Sequence, residues 1–236
     1  MKAAWLKLSF VAMLMGLALS AHAQSTSVPY VGCASDGQLG FRPAPPVSKT
    51  PQVPAELASR LAWYSVGDIG VLAPRGWQCF GYYGSSGTIL LVIADYSRKL
   101  GLNSGNDVDG QAIELGTSYG QTSGRFEAAK IAARLFPDRK AFVDSVAGEG
   151  ILPREEFDNR PFPHDQVRRL RSDQVSFETP AREDGLGTMS RLVKSDDPIE
   201  GMASMNEEND ATMLVVRVDS ASRDLVPTIL GVELSK

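Results

Sequence analysis

Thr88-Ile-Leu-Leu-Val-Ile-Ala94 is the most apolar run beyond the first two dozen residues. The segment before it, Gly76-Trp-Gln-Cys-Phe-Gly-Tyr-Tyr83, alternates with the period of two that a strand imposes. Trp77, Cys79, Gly81 and Tyr83 fall on one face, and Gln78, Phe80 and Tyr82 on the other. Gly84-Ser-Ser-Gly87 supplies the turn. The pattern predicts a β-hairpin. Its return strand is apolar on both faces, so it requires cover above and below and belongs inside a sheet. A buried helix segment is the rival reading of Thr88–Ala94; its short length and its flanking Gly and Asp favour a strand.

The same patterning predicts the rest of the chain. Gln24–Pro54 is polar and rich in proline and reads as an extended arm with little regular structure. In Pro54–Tyr64, Leu57, Leu61 and Tyr64 recur at helical spacing behind a proline, which predicts a short helix. Ile69–Ala73 is a short apolar segment closed by Pro74, Arg98–Gly110 a polar loop, and Ala112–Tyr119 a strand of weak alternation. Ser123 is placed to cap a helix whose stripe is Phe126, Ala129, Ala133 and Phe136, widened by Ile131 and Leu135. Pro137 breaks it, and a second helix restarts at Asp138 and runs to Ala147. Leu152–His164 reads as a loop and Gln166–Phe177 as a solvent-facing edge strand. Met189–Val193, Ile199–Met205 and Ala211–Val218 are further strands, with Asp196-Asp-Pro198 and Glu207–Asp210 as turns, and Ser222–Leu230 is a final helix. The order predicts an α+β fold: a largely antiparallel sheet with helices packed on one face and a Pro-rich N-terminal arm. The expected division is a segment 1–23 that is removed, an arm 24–53 tethered by a disulfide, and one α+β domain, 54–236.

The run Gly70-Val-Leu-Ala-Pro-Arg-Gly-Trp-Gln-Cys-Phe-Gly-Tyr-Tyr-Gly-Ser-Ser-Gly87 resembles the signature of an uncharacterised family of secreted bacterial proteins. That family carries a GVLAPRGWxCxGxYGSxG-type stretch after an upstream cysteine. Phe177-Glu-Thr-Pro-Ala181 and Gly185-Leu-Gly-Thr188 are similar to its downstream parts. The resemblance covers about a third of the chain. It implies export and carries over no activity.

Residues 1–23 independently read as a signal peptide. Lys2 and Lys7 precede the apolar Leu8–Leu19, and Ala21-His22-Ala23 forms an A-x-A cleavage site. Cleavage after Ala23 takes the formal charge from −4 to −6 by removing those two lysines, and leaves 213 of the 236 residues. An acidic balance gives no electrostatic case for nucleic acid. Once residues 1–23 are gone, no apolar run is long enough to cross a membrane as a helix. The expected location is the periplasm or the external medium, with an unknown envelope or extracellular partner. Cys33 and Cys79 are the only cysteines, an even count that in an oxidising compartment reads as one disulfide.

Candidate chemistry is sparse, and no cofactor or metal is expected. His164 is the single histidine after cleavage, which removes two-His metal sites. A Ser-His-Asp site would combine His164 and Asp165 with Ser85 or Ser86, but Gly84-Ser-Ser-Gly87 is not a nucleophile elbow. Asp107 and Asp109 invite a calcium loop, yet glycine occupies the first and twelfth positions. Glu155/Glu156, Asp196/Asp197 and Glu207/Glu208 are adjacent carboxylates in turns, and Arg168, Arg169 and Arg171 are a small basic group flanked by Asp165 and Asp173. Trp77, Tyr82 and Tyr83, with His164, form the candidate ligand surface; Trp77 is also a natural core residue. These features favour a non-catalytic binding or interaction domain. The alternative is a secreted hydrolase using His164 or a carboxylate pair.

Overall fold

A computed structural model describes residues 25–47, 49–95 and 108–234. The arm supplies β1 (Ser25–Ser27), β2 (Tyr30–Gly32), β3 (Ser35–Gly37) and β4 (Gln52–Pro54), followed by one helical turn, α1 (Ala55–Ala58). Next come β5 (Leu61–Val66), β6 (Ile69–Pro74), β7 (Gln78–Gly84), β8 (Gly87–Ile93) and β9 (Ala112–Ser118). Helices α2 (Arg125–Leu135) and α3 (Lys140–Gly148) precede β10 (Gln166–Arg171), β11 (Gln174–Thr179), β12 (Ile199–Met205), β13 (Ala211–Arg217) and α4 (Val226–Leu234). The chain is sheet-dominated and of mixed α+β class.

One eight-stranded sheet, ordered β10-β11-β12-β13-β9-β8-β7-β3, organises everything else. Its neighbours are antiparallel except β3, which joins β7 in parallel. The hairpin read from the alternation is β7–β8, with Gly84 opposite Gly87, and β8 is interior between β7 and β9. Gly87 adopts φ +148°, and a Cβ there would lie 1.8 Å from the Thr117 carbonyl oxygen, so glycine is required at this turn.

The two faces of the sheet build two cores. Leu90, Val92, Ile113, Leu115, Leu214 and Val216 pack against the small sheet β2-β5-β6 and against Leu225, Val226 and Ile229 beside and within α4. On the other face Leu91, Ile93, Val175, Phe177, Met213 and Val215 meet Ala128, Ile131, Ala132 and Leu135 of α2. Strict alternation along β8 and β13 makes this division, with odd residues one way and even residues the other. Helix α2 packs with this second core, and α4 with the first. The alanines on the buried stripe of α2 let its backbone approach the sheet closely. Its N-terminus docks on the hairpin turn at Gly124, where a Cβ would meet the Ser86 carbonyl oxygen at 2.0 Å.

Several expectations are corrected. The arm is not irregular: β2 pairs in parallel with β5, and β3 with β7. Its crossing from the small sheet to the large one occurs at Cys33, 1% exposed and disulfide-bonded to Cys79 of β7. The helix expected over Pro54–Tyr64 stops at Ala58. Leu61–Val66 is instead a strand fully paired with β6, because its aromatic and β-branched residues find cover on both sides. Gln166–Phe177 is not one strand but the hairpin β10–β11, turned at Ser172-Asp173; the edge position of β10 is as expected. Met189–Val193 is no regular strand. A 3-10 turn covers Gly187–Met189, and Leu192 makes an isolated bridge to Val108. Gly124, not Ser123, occupies the N-cap of α2, without a side-chain cap; the Ser123 hydroxyl lies 3.3 Å from that of Ser85 instead. The segment 1–23 lies outside the described residues, as does most of the Arg98–Gly110 loop. Among the described residues no helix is long and apolar enough to cross a membrane.

Candidate functional site

A cavity of about 750 Å³ opens between the large sheet and α2. Its floor is β7, β8, β9 and β13, which turn Tyr82, Ile89, Glu114, Gly116 and Met213 to the α2 face. Its other walls are Phe126, Glu127 and Ile131 from α2 and Met189, Ser190 and Arg191 from the segment leading to Leu192.

Glu114 is the unusual member. It lies mid-strand, paired with Leu91 on one side and Val215 on the other, and is 6% exposed. Its Oε2 accepts the backbone N–H of Arg191 at 3.1 Å, and no protein donor among the described residues reaches Oε1. Burial raises its pKa to about 7, opposed by the Arg191 amide and guanidinium and assisted by the negative charge of Glu127. Glu127 sits at the mouth. Its side chain keeps 44% exposure, yet its protein surroundings still raise its pKa, against the pull of Lys130 at 4.0 Å. Lys130 is itself engaged by Glu156 at 2.8 Å.

Arg191 lines the same cavity as Glu114. Its guanidinium lies 4.4 Å from the centroid of the Tyr82 ring. Its Nε is buried without an acceptor, and among the described residues the side chain makes no ion pair. The backbone around it is fixed on several sides. The Arg191 carbonyl accepts the Val108 N–H at 2.8 Å, the Val193 N–H returns to the Val108 carbonyl, and Leu192 is fully buried. Arg217, 1% exposed, donates to the carbonyls of Gly110, Val193 and Val108, which ties this segment to the end of β13.

The residues singled out from sequence divide. Tyr82 is in this cavity, 8% exposed and edge-on to Phe80. Tyr83 alternates to the other side of β7; it edges this cavity and also lines a second one of about 530 Å³ beneath the arm. There the Arg42 guanidinium stacks on its ring at 3.7 Å. Trp77 packs against the core under the small sheet, as its core reading required. His164 is apart from all three, with a side chain 58% exposed and Glu183 3.9 Å away. Asp165 turns its Oδ2 to the Leu186 N–H at 2.7 Å, and Ser85 engages Gln38 and Ser123, so no triad assembles around His164. The adjacent carboxylates are spent in turns and ion pairs: Glu156 with Lys130, Asp196 with Arg182. Arg169 donates to the carbonyls of Leu135 and Ser172, and Arg171 lies 3.4 Å from Asp173. Asp107 lies outside the described residues, Asp109 is exposed, and among the described residues no group of three His, Cys, Asp or Glu could hold a metal.

Sequence reasoning missed Glu114 and Arg191. The signal for Glu114 was present: one charge inside Ala112-Ile-Glu-Leu115, a stretch apolar enough to be sheet interior. Arg191 had none, since its neighbours read as an ordinary strand.

Comparisons with protein-family models, with curated proteins and with solved structures found no match.

Proposed function

We propose that this is an exported, non-catalytic binding domain of the cell envelope whose ligand occupies the cavity between the large sheet and α2. The carrying observation is that a buried carboxyl, Glu114, and an arginine with no ion-pair partner among the described residues, Arg191, line one space of about 750 Å³. Ligand sites of this size are mostly apolar with a few polar groups fixed for orientation. Here Ile89, Met213, Phe126 and Ile131 supply the apolar walls. The disulfide supports the oxidising compartment that the sequence reading requires.

The test fills the cavity. A Cβ at Gly116 would meet only Ile89 Cγ1 at 3.9 Å and the Met213 carbonyl oxygen at 4.0 Å, so Gly116→Leu starts a side chain into the cavity from a position with room for its Cβ. A library of small polar and apolar fragments is screened by thermal shift against the mature, oxidised protein. Hits are expected to stabilise wild type and His164→Ala alike, and to lose at least tenfold in affinity in Gly116→Leu. Hits indifferent to Gly116→Leu contradict the reading.

A second reading, a hydrolase, is favoured by one observation. Glu114 and Glu127 share this cavity and both have raised pKa values, Glu114 to about 7, a range suited to proton transfer near neutral pH. Turnover of a bound compound, abolished by Glu127→Gln, is its signature.

A further inference from the structure

Resting on the cavity reading above, we propose that the ligand is a small zwitterion with an apolar body, of the amino-acid or short-peptide class. Its carboxylate is held by Arg191 and its ammonium group by Glu114.

Burying an ionised group without a partner is costly, and protein interiors pair such groups. Arg191 and Glu114 are neighbours in one cavity, yet their side chains do not pair. The single hydrogen bond between them runs from the Arg191 backbone N–H to Glu114 Oε2. That bond orients the carboxyl and leaves the guanidinium free to lie over Tyr82, with its Nε unfilled. Two opposite charges held in register but apart match a ligand that carries the complementary two. A lone anion would satisfy Arg191 and be repelled by Glu114 and Glu127; a lone cation would do the reverse.

Polarity follows from the surroundings. Glu127 adds negative charge on the Glu114 side, at the mouth, so the ammonium end is drawn there. The carboxylate end meets the Arg191 fork, which suits planar oxygens. Between them, Ile89, Met213, Phe126, Ile131 and Met189 offer apolar contact to a side chain. The volume accommodates a single residue or a dipeptide. Positioning is rigid, because Glu114 is on an interior strand and Arg191 is braced through Leu192, Val108 and Arg217.

Calorimetric titration of the mature, oxidised protein at pH 7.5 tests this with four probes. L-leucine and the dipeptide Leu-Leu carry both charges. Leucinol lacks the carboxylate, and N-acetyl-L-leucine lacks the ammonium. The expected result is that leucine or Leu-Leu binds, the tighter of the two identifying the source, and that leucinol and N-acetyl-leucine each lose at least tenfold relative to leucine. Arg191→Met should erase the difference between leucine and leucinol, and Arg191→Lys should restore part of it. Glu114→Gln should erase the difference between leucine and N-acetyl-leucine. If a variant fails to unfold cooperatively, the four probes on wild type decide alone. Equal binding of all the leucine derivatives, or binding of none of the four probes, overturns the zwitterion assignment. If fragments sensitive to Gly116→Leu still bind in that case, the cavity reading stands without it.

Discussion

Glu114 places a titrating carboxyl where a strand would ordinarily carry valine or leucine. Its pKa is raised from 4.5 to about 7, so the folded protein holds a proton that the unfolded chain has already released between those pH values. Stability therefore falls as pH rises through this window, and the integrated loss from this one group is on the order of 3 kcal/mol. Glu127 acts in the same direction. Urea titrations at pH 5 and pH 8 should show wild type losing stability across the interval. Glu114→Gln, which cannot ionise, should lose markedly less, so that the variant is the more stable protein at pH 8. Parallel losses in the two proteins would show that Glu114 is not buried as described. The sequence marks β9 as a strand of weak alternation, but a carboxyl inside it has meaning only once α2 and the Arg191 segment are known to cover that face. Those contacts are too distant in sequence for any periodicity to reveal.

At the scale of elements, legibility follows how local the cause is. The β7–β8 hairpin was legible because alternation, the Gly84–Gly87 turn and the apolar return strand all agree within twenty residues. The break between α2 and α3 was legible because Pro137 forbids continuation. The strand β5 was not, since Leu57, Leu61 and Tyr64 satisfy helical spacing as well, and pairing with β6 decides the matter. The β10–β11 turn was missed because Ser172-Asp173 lacks the glycine that marks a tight hairpin. The arm was legible in its tether and illegible in its strands, which exist only by addition to β5 and β7. Its disulfide closes a separation of 46 residues, which by chain entropy contributes about 4 kcal/mol. Replacing both cysteines by serine should lower urea-unfolding stability by about that amount. Reductant should have the same effect on wild type and none on the double variant; a variant as stable as wild type would show that the arm is held by its pairing alone.

For the whole molecule, one sheet with two cores leaves a cavity under α2, apolar-walled but holding Glu114 and Arg191, where a continuous apolar contact would have been the simpler solution. The small sheet and α4 cover one face, and α2 covers the face that holds the larger cavity. Leu39, Phe41 and Val47 of the arm are exposed, and the second cavity lies beside them, so rival binding surfaces exist on the same molecule. Amide chemical-shift mapping of the isotope-labelled, oxidised, mature protein during titration with L-leucine and with fragment hits separates these surfaces most directly. Binding should move the amides of Tyr82, Glu114–Ser118, Gly124–Ile131 and Met189–Arg191 together, and leave those of His164, Glu183, Leu39, Phe41 and Val47 largely in place. Shifts concentrated around His164 or along the arm, with the sheet beneath α2 silent, would contradict the account.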